Sequence, residues 1–206
     1  MFKKNMLKAV RKVSTQEKEI YLTFDDGPNP KVTPALLELL ENYESQASFF
    51  VIGEKAHRYR QLTLLIQDRG HAIGDHSWDH KFRYFFRSDK VLKNWIQQSQ
   101  KRLTEILGEP PIGFRSPAGV ITPPLKRVLK ELQLPLIHWN RRCFDSVWGF
   151  TPRKAEKIAA RLQPGDVILL HDGSGPNPEL FLSATKRLLE LGKEKGFEFK
   201  SLKKIF

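Results

Sequence analysis

Asp25 and Asp26 stand side by side in T-F-D-D-G-P, at the end of an apolar run. Adjacent like charges repel, and burying even one is costly unless a cation or a donor compensates. Without that compensation the pair is only a polar turn. H-S-W-D-H then sets His76 and His80 four residues apart. On a helical turn that spacing puts both imidazoles on one face. Two histidines and a carboxylate leave an open position on zinc, as catalytic metal sites require. The spacing alone is a weak signal; the aspartate pair ending another apolar run strengthens it. I-L-L-H-D-G ends a third apolar run with His171. A histidine there is suited to acid or base work near neutral pH, or else satisfies a buried carbonyl. R-S-P-A-G puts Arg115 on a Pro/Gly turn, where it can hold a carboxylate bidentately or simply face solvent. His57, His71 and His138 have no partner by spacing and are expected in the core or at the surface.

These residues need elements to position them. Strand-like runs fall at 20–26, 47–53, 71–76, 112–117, 134–140, 166–172 and 197–202. Helix-like stretches lie between them, at about 33–44, 57–69, 90–107, 123–132, 152–162 and 179–195. Three begin with Thr-Pro, at Thr33, Thr122 and Thr151. Threonine caps free backbone N–H groups, and proline is tolerated at the first helical position. Alternating strands and helices predict parallel strands joined by helical crossovers, in a doubly wound sheet or a (β/α) barrel. In both, the C-terminal strand edge carries the active site. Asp25, Asp26, His76, Arg115, Asp145, and His171 with Asp172, all sit at or just beyond such ends.

The 206 residues suit one domain with a sizeable core. The formal net charge of +12 favours anionic partners. The basic residues are spread along the chain and no nucleic-acid motif is present, so a specific nucleic-acid function is not expected. A single cysteine, Cys143, excludes an internal disulfide. No apolar run is long enough to span a membrane. The basic segment 1–18 lacks the apolar core of a secretory signal. The expectation is a cytoplasmic protein as written, or a periplasmic or extracellular one if an export signal has been removed. A short amphipathic helix at 3–13 is one reading of this extension, and a solvated tail is the preferred one.

T-F-D-D-G-P, H-S-W-D-H, R-S-P-A-G, the region around Asp145 and I-L-L-H-D occur in the order of five motifs. In this the chain resembles the NodB-type polysaccharide deacetylases, carbohydrate esterase family four. A-S-F-F-V-I-G and G-H-A-I-G-D-H are similar to segments flanking the second motif there. The resemblance spans about residues 20–202. It implies a distorted (β/α) barrel of about seven parallel strands in a single domain, 19–206. It also implies a divalent metal, commonly zinc, and hydrolysis of N-acetyl groups on chitin, chitooligosaccharides or peptidoglycan. Carried over by position, Asp26, His76 and His80 match the metal ligands, Asp25 the base and His171 the acid. Arg115 matches the arginine that orients the base, and Asp145 the aspartate that supports the network. Leu169 matches the residue lining the acetyl pocket, and the backbone N–H of Ala118 an oxyanion donor.

Three positions depart from the family pattern. Ala118 replaces an aromatic residue, Arg142 stands where an acid is usual, and Ser146 replaces Trp or Tyr, with Trp148 a candidate to refill that space. They bear on substrate fit more than on the chemistry. The leading expectation is a monomeric, zinc-dependent glycan N-deacetylase, with peptidoglycan preferred because its stem peptides carry carboxylates. The alternatives are a chitooligosaccharide deacetylase and a catalytically weakened glycan-binding module of the same fold.

Overall fold

The computed structural model describes residues 9–173 and 177–205, with the side chain at 204 excepted. The first apolar run forms strand β1, Glu19–Asp25, and all seven of its residues are buried. A strand buried on both faces is what a parallel sheet covered by helices demands. Its alternate residues part into two layers. Ile20, Leu22 and Phe24 join the main core under the helices. Tyr21 faces inward into a smaller core with Val13, Phe50, Ile137, Val167 and Leu202. Burying one such side chain stabilises the fold by roughly 1.5–3 kcal/mol, so these two layers fix which face of β1 carries Asp25.

β1 pairs in parallel with β2 (Ala47–Val51) on one side and β5 (Val167–His171) on the other. β3 (Ala72–Asp75) adds to β2, β4 (Arg141–Arg142) to β5, and β6 (Glu198–Phe199) to the start of β1. The sheet order is β3-β2-β1-β5-β4. Two expected strands shrink to bridges. Phe114 links β3 at Asp75 to Leu136, and the chain from Leu136 runs on to Asn140, whose N–H donates to the Val167 carbonyl at 3.2 Å. The pairing therefore continues round in a distorted ring of parallel segments. The last expected strand, 197–202, is reduced to the two residues of β6.

The helices are α1 (Thr33–Asn42), α2 (Gly53–Arg58), α3 (Arg60–Asp68), α4 (Asp89–Leu107), α5 (Pro123–Glu131), α6 (Asp145–Trp148), α7 (Pro152–Ala159) and α8 (Pro178–Glu194). The expected helix at 57–69 is two helices, broken at Tyr59. Thr122 and Thr151 cap α5 and α7, accepting from Leu125 N and Lys154 N. Thr33 does not cap α1, because its hydroxyl is committed to Asp172 and Asn29 N.

The start of the chain differs from the expected free tail. Val10 bridges Ile137, and the Val13 N–H donates to the Gly165 carbonyl at 2.9 Å. Residues 9–13 are extended rather than helical, and the rest of the expected 3–13 helix lies outside the described residues. No described helix is long and apolar enough to cross a membrane.

Candidate active site

Asp26, His76 and His80 come together at the C-terminal edge of β1 and β3. Asp26 Oδ1 lies 3.4 Å from His76 Nε2 and 3.3 Å from His80 Nε2. One ligand atom from each residue lies within 4.8 Å of the others. Metal bonds of about 2.0–2.1 Å in a tetrahedral shell put neighbouring donor atoms about 3.3 Å apart, so the set fits a small divalent ion. The His76 ring is held for that task. Its Nδ1 is 2.8 Å from the Arg115 carbonyl, which places the proton there and leaves Nε2 free to ligate.

The two histidines are not on a helical turn as the spacing suggests. His76 follows β3, and the segment to His80 is an irregular loop. Ser77 has φ 69° and His80 φ 54°, and Asp26 across the site has φ 69°. Such left-handed conformations of non-glycine residues persist only where the surroundings over-determine them. Here they do. The His80 N–H donates to Ser77 Oγ, Gly53 N donates to the Ser77 carbonyl, and Lys55 Nζ donates to the Asp26 carbonyl at 2.7 Å. Lys55 was not singled out by sequence, since a lysine in a helix carries no signal of its own.

Asp25 is 2% exposed and Arg115 wholly buried. Arg115 Nη1 donates to Asp25 Oδ1 at 2.7 Å and to Thr23 Oγ1 at 2.7 Å. The expected bidentate clasp is absent: Nη2 and Nε donate instead to the carbonyls of His138 and Ile137. The guanidinium also lies 3.8 Å from the Phe50 ring centre. Four hydrogen bonds and the ring contact leave it no freedom, so it sets the orientation of Asp25. The second oxygen, Oδ2, faces the metal set, 3.8 Å from His76 Nε2.

His171 is the register partner of Asp25 across β1 and β5, which puts the two residues on neighbouring strands about 4.8 Å apart. Its ring Nδ1 is 2.9 Å from Asp145 Oδ1, and its backbone N–H donates to Asp145 Oδ2 at 2.7 Å. Burial alone would lower the His171 pKa, and it is the largest single effect. The hydrogen bond and charge of Asp145, with the charges of Asp25 and Asp26, outweigh it and raise the pKa above the usual value.

Two buried carboxyls lie behind the site: Asp75, which escaped the sequence reading, and Asp172, which it placed at a strand end without a role. Asp75 accepts from Ser77 N, Ser99 Oγ and Gln100 Nε2 at 2.7, 2.7 and 2.6 Å, tying the histidine loop to α4. Burial pushes its carboxyl up to about 6 despite those donors. Asp172 packs flat on Gly27, where a Cβ would lie 2.4 Å from both carboxyl oxygens. That contact explains the glycine after Asp26. Burial pushes the Asp172 carboxyl up to about 7, against the hydrogen bond from Thr33.

Leu169 is buried on β5, two residues before His171, with Ile168 and Leu170 on the opposite, outer face. Ala118 is exposed in a tight turn with φ 51°, three residues after Arg115. Trp148 does not refill an interior space. It is 69% exposed and packs against Phe144, ring centres 5.2 Å apart. His57 is exposed, while His71 and His138 are buried away from the metal set.

The profile of the polysaccharide deacetylase family matches residues 12–137. A peptidoglycan-N-acetylglucosamine deacetylase of Bacillus cereus is 31% identical over 195 residues, covering 94% of this chain and 90% of the relative. A chitooligosaccharide deacetylase of Azorhizobium caulinodans is 33% identical over 174 residues, covering 84% and 82%. The crystal structure of the Bc1960 peptidoglycan N-acetylglucosamine deacetylase superposes with a TM-score of 0.87 at 26% identity, over 95% of this chain and 91% of the other.

Proposed function

This chain belongs to the polysaccharide deacetylase family, and we propose that it removes N-acetyl groups from N-acetylglucosamine-type glycans, peptidoglycan before chitooligosaccharides. The observation that carries this reading is the placement of Asp25 and His171. They are register partners, one clamped by Arg115 and the other by Asp145, beside a three-residue metal set. A reaction that needs a base and an acid on either side of one scissile bond needs that arrangement.

Asp26, His76 and His80 hold the cation, and two imidazoles with one carboxylate suit zinc best. Bound there, zinc supplies a Lewis acid that polarises the amide carbonyl and lowers the pKa of water. Asp25 takes the proton of the attacking water at Oδ2, while Arg115 holds Oδ1 and keeps the carboxylate aimed. The backbone N–H of Ala118 donates to the oxygen that gains charge in the transition state. Leu169 bounds the space for the acetyl methyl group. His171 enters protonated and gives the Nε2 proton to the departing sugar nitrogen, with Asp145 stabilising its charged form. Acetate and an amino sugar result. The unit that does this is residues 19–206.

Peptidoglycan is preferred because its stem peptides carry carboxylates and the chain carries a net charge of +12. The test is acetate release from a panel of defined substrates: N-acetylglucosamine oligomers, purified peptidoglycan and its soluble fragments. The reading expects acetate from all three classes, fastest from peptidoglycan. No acetate from any of them, with zinc confirmed bound, contradicts it.

A further inference from the structure

Beside the acid and its partner lies a surface that the mechanism does not use. Phe144, Val147 and Trp148 are 39%, 60% and 69% exposed. They are three of the six large apolar side chains that the described residues expose, and they fall within five consecutive positions. Such clustering marks a binding surface rather than scattered exposure. It neighbours the reaction centre along the chain, because Phe144 directly precedes Asp145, the partner of His171.

Arg142 adds charge to this surface. It is exposed, with its guanidinium 4.7 Å from the Phe144 ring centre and 6.0 Å from that of Trp139. Its guanidinium makes no hydrogen bond or ion pair among the described residues. A guanidinium lying over an aromatic ring keeps its N–H edges for a planar, bidentate acceptor. Arg142 is the register partner of Leu169, two residues before His171, about 7 Å along the strand. Its backbone therefore lies on the strand neighbouring the residue assigned to the acetyl pocket.

We propose that Arg142, with Trp139, Phe144 and Trp148, forms a subsite bordering the reacting sugar, where Arg142 takes a carboxylate carried by the glycan. This rests on the deacetylase reading and narrows the substrate to an anionic glycan. The apolar face of the sugar ring lies on Trp148 and Phe144. The carboxylate fixes the register in which neighbouring units are presented.

The experiment uses the zinc-loaded full chain and two forms of one glycan. One is an alternating N-acetylglucosamine/N-acetylmuramic acid strand with free carboxylates, and the other is the same strand with those carboxylates methyl-esterified. Calorimetric Kd and kcat/KM are measured for both. Wild type is expected to favour the free acid about tenfold, the size of one charge-assisted bidentate contact. Arg142→Gln brings that ratio close to one, and Arg142→Glu reverses it. Trp148→Ala weakens both forms by roughly three- to tenfold through lost apolar contact and leaves the ratio as it was. Equal binding of the two forms by wild type overturns the subsite, as does a preference that survives Arg142→Gln or no binding of either form. A Kd ratio that behaves as expected without any acetate release would instead sink the deacetylase reading and leave the subsite standing.

Discussion

Asp145 meets His171 twice, once at the ring Nδ1 (2.9 Å) and once at the backbone N–H (2.7 Å). One carboxylate thereby fixes the ring's tautomer and its position on β5 together. Asp145→Asn keeps the backbone contact and removes the charge that raises the His171 pKa. The expected result is a fall in kcat of about a hundredfold or more with KM little changed. The alkaline limb of the pH–rate profile moves to lower pH, because the protonated form of His171 is no longer favoured. A merely structural role for Asp145 would leave that limb in place.

The Arg115–Asp25 pair is wholly buried, so removing one partner strands the other charge. Arg115→Met is expected to cost about 3–5 kcal/mol of stability, measured by urea unfolding. Adding Asp25→Asn to Arg115→Met returns part of that loss, since the stranded carboxylate is neutralised. The two changes are therefore strongly non-additive. Additivity would show that the pair is not coupled.

Asp75 touches no ligand atom and still shapes the metal set through Ser77 and α4. Asp75→Ala frees the 76–80 loop, and the expected loss is about ten- to a hundredfold in zinc affinity, read by competition with a chelator. At saturating zinc, kcat recovers towards wild type. A variant that bound zinc normally would assign Asp75 to packing alone.

His71 gives a stability prediction away from the site. Its Nδ1 accepts from Ala47 N and burial pushes its pKa down to about 4, with the charge of Arg69 adding to the shift. The folded state thus resists protonation where the unfolded chain accepts it. Above about pH 6.5 this costs nothing, and stability falls as pH drops from there towards 4. At pH 4.5 the loss relative to pH 7 amounts to about 2–3 kcal/mol. His71→Leu should lose correspondingly less over the same range in urea titrations. An identical pH dependence in both proteins would remove His71 as the cause.

Much of the site was legible because its chemistry sits at the ends of short apolar runs. Asp25 and His171 each terminate a strand, Asp26 follows one and Arg115 follows a bridge, so their convergence follows from parallel topology. Thr122 and Thr151 kept their capping role because nothing nearby competes for their hydroxyls. Thr33 lost it because Asp172, far along the chain, offers a buried acceptor. Asp75 was missed, and Asp172 was placed at a strand end without a role, for the same reason: their partners lie on other elements, and a lone aspartate beside a histidine gives no sign of them. The His76–His80 spacing was read as helical, yet the loop holds both rings by left-handed residues that sequence periodicity does not report. The weak strands at 112–117 and 134–140 pair through only a few residues, which their apolar pattern does not distinguish from full strands.

The central claim is that Asp26, His76 and His80 hold a cation without which no acetyl group is removed. Its most direct test is to strip the protein with a chelator, return zinc in steps, and follow bound metal and acetate release in the same sample. The account predicts one zinc per chain, activity rising in proportion to it, and loss of both in His76→Ala and His80→Ala. Acetate release that persists in the stripped protein, or zinc that binds with unchanged affinity in both variants, would contradict it.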